Sequence, residues 1–163
     1  MGFVRTIISL TPPARQQNEE TTVSEDNIYK FSGDDEGMLQ ASEAARRTFK
    51  FFWRELSWEN RRIVPGLDLA AVKLPFKNDD QQDGEPEYEH MWVGDVEFDG
   101  EVVRGTLLND AQWIDSLEAG MPAESPLEEI GDWMYGIHGK VYGAYTVNYM
   151  RGTMPRQERA AHD

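Results

Sequence analysis

Apolar side chains recur at steps of three or four between Met38 and Leu56, at Met38, Ala41, Ala45, Phe49, Phe52 and Leu56. That spacing lines one face of a helix, and such a face wants a sheet to cover it. Asp34 or Asp35 stands where an N-cap is expected, and Glu36 follows in the first turn, where a negative charge is favourable. Arg46, Lys50 and Arg54 form a flanking stripe, with Arg47 beside it, while Phe51 and Trp53 widen the apolar side. After Pro65-Gly66 the period switches from helical to two. The segment DLAAVKLPFK places Ala70, Val72, Leu74 and Phe76 on one side and Lys73 and Lys77 on the other, which predicts a strand. HMWVGDVEF alternates likewise, with Trp92, Val96 and Phe98 on one face and Asp95 and Glu97 on the opposite one. Asp99-Gly100 is a two-residue hairpin signal. A turn centred there pairs Phe98 with Glu101, Val96 with Val103, Gly94 with Gly105, Trp92 with Leu107 and His90 with Asn109. It also sets Asp95 opposite Arg104 as a cross-strand ion pair.

The stretch AQWIDSLEAGMPAESPLEEIG reads as a loop with a short turn of helix. DWMYGI and KVYGAYTVNYM follow as a second pair of strands around His138-Gly139, a reading that their Tyr and Val content supports. The tail TMPRQERAAHD predicts a short terminal helix, with Thr153 as cap and Pro155 in the first turn. Residues 11 to 36 are polar and carry Pro12, Pro13 and Gly33, a linker composition. The expected organisation is a flexible or poorly ordered segment over 1–36 and a single α+β domain over 37–163. That domain is an antiparallel sheet of four to six strands, with one long helix packed on a face and a short C-terminal helix.

At 163 residues, 39% of them hydrophobic, the chain suits one folded domain with a real core. It has no cysteine, which excludes disulfides, thiolate metal sites and a Cys nucleophile. No apolar run approaches the roughly 20 residues that cross a bilayer, and FVRTIISL lacks the features of a secretory leader, so the cytoplasm is the expected compartment. The 30 acidic and 16 basic residues give a net charge of −14. They are unevenly spread. Residues 1–77 hold 11 of each sign, whereas residues 78–139 hold 17 acids against Arg104 alone. Such a field repels phosphate backbones and anionic lipid and hastens encounter with basic surfaces. Nucleic acid and membrane are therefore poor partners, and a cationic protein is a good one.

Three stretches, FFWRELSWENRRIVPGLDLAAVKLPF, EHMWVGDVEFDGEVVRGTLLND and DWMYGIHGKVYGAYTVNYMRG, together resemble the bacterial family called domain of unknown function 2314. The resemblance spans about residues 44 to 160, and EHMWVGDVEFDG, DWMY and GKVYGAYTVN carry it most specifically. It implies a small α+β bacterial domain. It brings no activity, cofactor or catalytic residue with it.

The residues themselves offer little catalysis. His90 and His138 are scattered, whereas a zinc site needs three or four converging ligands, so no metal is expected. Asp79, Asp80, Asp83 and Gly84 resemble the start of a calcium loop, but position 12 falls on His90 where a bidentate Glu is required. No spacing selects a carboxylate pair for acid/base work, and neither a phosphate-binding glycine loop nor a nucleophile elbow occurs. No cofactor is implied. The leading expectation is a nonenzymatic acidic protein-binding module, an immunity protein that neutralises a bacterial toxin by covering a basic surface of the toxin domain. Its binding surface would comprise Asp79, Asp80, Asp83, Glu85, Glu87, Glu89, Asp110, Asp115 and Trp113. The alternative is a small ligand-binding or hydrolytic domain with a pocket between helix and sheet. His90, Trp92, Gly94, Gly105 and Asp132 would line it, the facing glycines leaving a gap that Trp53 could otherwise fill.

Overall fold

Asp35 opens the first helix, its carboxylate accepting from the Gly37 and Met38 amides at 2.9 and 3.2 Å. The computed structural model describes residues 35–155, so what is expected of 1–34 and of 156–163 lies outside the described residues. Helix α1 (Glu36–Glu59) buries Ala45, Phe49, Phe52 and Leu56, the face that the spacing predicts. The chain then builds β1 (Leu69–Lys77), β2 (Tyr88–Phe98), β3 (Val102–Leu107), β4 (Pro122–Pro126), β5 (Asp132–Ile137), β6 (Lys140–Gly143) and α2 (Tyr145–Thr153). All strand pairs are antiparallel, in the order β4-β3-β2-β1-β5-β6. Among the described residues this is the α+β class that the patterning predicts, with six strands, one long helix and a short C-terminal helix.

The core lies between α1 and one sheet face. Val72, Leu74, Met91, Val93, Val96, Val103, Leu107 and Trp133 meet the helix there. Phe49 packs edge-on against Phe98, Phe52 tilts against Trp133, and the Trp133 indole donates to the Ala45 carbonyl at 2.8 Å. The space between helix and sheet is thus filled by side chains.

Three elements differ from expectation, each for a local reason. The β2–β3 turn is centred one residue later, on Gly100-Glu101: the Asp99 amide reaches the Val102 carbonyl, and Gly100 takes φ 111°, which primed turns favour at that position. The Asp99 carboxylate accepts from the Glu101 and Val102 amides, so it builds the turn from outside its centre. Phe98 therefore pairs with Val103 and Glu97 with Arg104, and a bulge between Gly94 and Glu97, with Asp95 at φ 49°, shifts the register again to Gly94 opposite Thr106 and Val93 opposite Leu107. The predicted Gly94–Gly105, Trp92–Leu107 and Asp95–Arg104 pairs do not form. Arg104 instead bonds Asp99 at 2.6 Å and Glu124 at 3.1 Å.

The second difference is β4, an edge strand where a loop is expected, followed by a 3-10 turn at Leu127–Glu129. Prolines bound it at both ends, which an edge strand tolerates and a central one does not. The third concerns α2, which occupies YTVNYMRGT: residues 145–150 are expected to continue a strand, and Thr153, expected to cap a helix that follows, is instead the last residue of this one. Gly143 at φ 80° and Ala144 at φ 52° break the strand, and the carboxylate of Asp132 receives the first amides of the helix. The His138-Gly139 turn is as predicted, with both residues at positive φ.

Candidate functional site

All nine residues of the expected binding surface fall at one end of the sheet, on the β1–β2 loop, the start of β2 and the β3–β4 loop. Residues 77–89 and 108–121 hold nine acids and a single base, Lys77. Glu89 joins the two loops: its carboxylate accepts from the Gln112 amide at 2.6 Å and the Trp113 amide at 2.9 Å. Between them lies a cleft of about 380 Å³ lined by Asp79, Asp80, Glu85, Trp113 and Asp115, among others. The carboxylates divide by role. Glu85 accepts from the Asn78 side chain and the Gln82 amide, and Asp110 from the Ala119 amide, so both shape their own loops. Asp79 pairs with Lys77 at 3.1 Å, and that contact holds the Lys77 ammonium above its ordinary value. Asp80, Asp83, Glu87 and Asp115 are exposed to solvent. The structure also divides the acidic block: Glu97, Asp99, Glu101, Glu124, Glu128 and Glu129 stand toward the opposite end, where Arg104 neutralises two of them.

The second set of candidates does not line a helix–sheet pocket. Because β2 buries Met91 and Val93 against α1, His90 and Trp92 point to the other face, and Lys73 and Asp132, paired in register across β1, share it. A Cβ on Gly94 would meet Leu108 at 2.8 Å, and one on Gly105 the Gly94 carbonyl at 2.5 Å, so the chain itself occupies those gaps. Trp53 packs on Phe98 instead.

What the structure does assemble there was not foreseen. Asp132, fully buried, accepts from the Trp133 amide (2.8 Å), the Tyr145 amide (3.0 Å), the Thr146 amide (2.7 Å) and the Thr146 hydroxyl (2.6 Å). Lys73 donates to that hydroxyl at 2.9 Å and stands 4.8 Å from the centroid of the Trp92 ring. Loss of water holds the Lys73 ammonium below its ordinary value, the Asp132 charge acting in the opposite sense. His90 keeps an exposed edge, but surrounding protein and the Lys73 charge lower its value too. Alternation in the sequence placed Lys73 and Asp132 on strands, yet nothing local pairs Lys73 with Thr146, 73 residues away.

Comparison with known proteins places the chain in a family. The model of an uncharacterised protein conserved in bacteria, domain of unknown function 2314, matches residues 35–163. The chain belongs to that family. Among its relatives, a Neisseria meningitidis serogroup B (strain ATCC BAA-335 / MC58) protein, named provisionally as an ankyrin repeat protein, is 46% identical over 136 residues. The match covers 83% of this chain and 53% of that relative, so the chain spans about half of the relative's length. The uncharacterised protein YegJ of Escherichia coli (strain K12) is 32% identical over 133 residues, covering 82% of this chain and 79% of YegJ. No solved structure matches significantly. Neither the family description nor these names carry a catalytic assignment. Among the described residues, no helix is long and apolar enough to cross a membrane.

Proposed function

We propose that this member of the family is a nonenzymatic protein-binding module whose acidic end, built from the β1–β2 and β3–β4 loops, covers a basic surface on a partner protein. The observation that carries the reading is the joining of two acidic loops through Glu89 into one surface with a cleft and the half-buried Trp113 in its wall. Same-sign carboxylates around a concave surface concentrate their field there, which speeds encounter with cations and disfavours anionic partners. An indole beside them supplies the desolvated contact that charge alone does not. Within that class, a bacterial toxin domain in the cytoplasm is the partner we favour, because toxins that act on nucleic acids need cationic clefts that such a surface would cover.

Affinity capture from the native bacterium at low salt tests the proposal. Wild-type protein should retain a basic protein that the triple variant Asp79→Asn/Asp80→Asn/Asp115→Asn does not, and co-expression should protect cells against a toxin encoded beside this gene. Equal capture by both proteins, or capture of no basic protein together with no protection, would end it.

A further inference from the structure

We propose that the outer face of α1 and the loop that follows it dock on the surface of an anionic lipid bilayer, with Ile63 and Val64 entering the head-group boundary. The helix buries Ala45, Phe49, Phe52 and Leu56 against the sheet, so the residues half a turn away, Arg47, Lys50, Phe51, Arg54 and Trp58, form a stripe that faces solvent. The stripe is knit together: the Arg54 guanidinium lies 5.5 Å from the centroid of the Phe51 ring and 5.6 Å from that of Trp58, and the Lys50 ammonium lies 5.2 Å from Phe51. Two exposed aromatic rings thus share one surface with cations.

The chain extends this surface past the helix. The Arg61 and Arg62 amides donate to the Trp58 and Glu59 carbonyls, which carries the last turn onward. The Glu59 carboxylate then closes the loop at its base, accepting from the Gly66 amide at 2.9 Å and from the Arg62 guanidinium at 3.0 Å. A Cβ on Gly66 would collide with that guanidinium, so the closure needs glycine there. What the closed loop displays is Ile63 and Val64, 99% and 75% exposed. Water solvates neither aliphatic side chain favourably, and an acyl boundary does.

Charge selects the kind of surface. Residues 43–64 hold six bases and three acids. Arg54 and Arg62 pair with Glu55 and Glu59, and Arg46 reaches the Ile130 carbonyl, which leaves Arg47, Lys50 and Arg61, among the described residues, with no carboxylate at ion-pair distance. Cations beside an indole and an aliphatic tip match an anionic bilayer, where lipid charge attracts the bases and the interface accepts the rings. A nucleic acid would match the cations and offer nothing to Ile63 and Val64. The net charge of −14 does not forbid the contact, because the acidic loops leave the far end of β1, about 25 Å from its start at an extended rise per residue. That is about three screening lengths at physiological ionic strength. Of the acids on the β2–β3 hairpin, Glu97 lies on the sheet face away from α1 and Asp99 is bound to Arg104. The expectation against a membrane, drawn from the summed charge, applies to the acidic end and not to this face.

Flotation of the full-length chain with vesicles of phosphatidylcholine alone, or of equimolar phosphatidylcholine and phosphatidylglycerol, tests the proposal. The protein should float with the mixed vesicles and not with phosphatidylcholine alone. Arg47→Gln/Lys50→Gln should lower the partition coefficient about fivefold per charge removed. Ile63→Ser/Val64→Ser should lower it about tenfold while leaving circular dichroism unchanged, since both side chains are exposed. Absence of flotation with the mixed vesicles, equal flotation with phosphatidylcholine alone, or flotation of Ile63→Ser/Val64→Ser equal to wild type would overturn the proposal. Binding of a single-stranded oligonucleotide that survives Ile63→Ser/Val64→Ser, in a protein that does not float, would assign the face to nucleic acid and overturn it as well.

Discussion

Asp132 shows how much one side chain settles. It lies at the start of β5, and its two oxygens hold the first amides of α2 in place of an ordinary N-cap, since Ala144 has no side chain to offer. An amide cannot accept at both positions. Asp132→Asn therefore sets an NH₂ against two donors and should cost about 2–4 kcal/mol in urea unfolding, with the loss of helical signal from α2 first. Gly143→Ala should also destabilise, because φ is 80° and the new Cβ would stand 2.4 Å from Trp133; thermal unfolding reads the loss. His90 adds a pH dependence. Its imidazole sheds its proton at lower pH in the folded state than the ordinary 6.5, so the unfolded chain takes up the proton first. Stability should fall as pH drops through 6.5 toward the folded value, and His90→Gln should flatten that slope in unfolding measured at pH 7.5 and 5.5. Asp132 was legible as a candidate residue but not as a cap, since its amide donors at Tyr145 and Thr146 lie 13 and 14 residues away.

At the scale of elements, local signals decided most of what the sequence reveals. The face of α1 and the strand period of β1 follow from spacing, and Phe52→Ala, which empties a fully buried position against Trp133, should cost about 3–5 kcal/mol in chemical denaturation. Period-two reasoning carried β2 only as far as the bulge. One extra residue at Asp95 reverses which side chains face inward, so Trp92 and Val96, assigned to one face, lie on opposite ones. The same displacement explains why His90 and Trp92, expected beside α1, lie on the opposite face. No propensity marks β4 either, because its five residues, PAESP, pair only in the presence of β3. The Val-Tyr composition of α2 favours a strand, and a tertiary carboxylate overrules it.

For the molecule as a whole, charge was readable as a sum and a block but not as a shape. The nine-residue surface came together because two loops separated by β2 and β3 leave the sheet at the same end, whereas the rest of the block was carried to the other end by the strands themselves. If the acidic end docks on a cationic partner, raising ionic strength from about 0.05 to 0.5 M should slow association far more than it hastens dissociation, since salt screens steering before it loosens contact. Stopped-flow measurements with the captured partner would show it. Glu89→Gln should weaken binding without removing a surface charge from the loop tips, by freeing the Gln112 and Trp113 segment, and faster hydrogen exchange at those two amides would report it.

The place of β1 has a consequence for how the chain acquires its shape. Among the described residues it is the first strand made, yet it sits in the interior of the sheet between β2 and β5, and Val72 meets Val93 on one side and Trp133 on the other. Its first neighbour emerges soon after it, and its second only some 60 residues later. A nascent polypeptide leaving the ribosome thus exposes one flank of β1 until nearly the whole domain has been synthesised, so closure of the sheet is a late event gated by the arrival of β5.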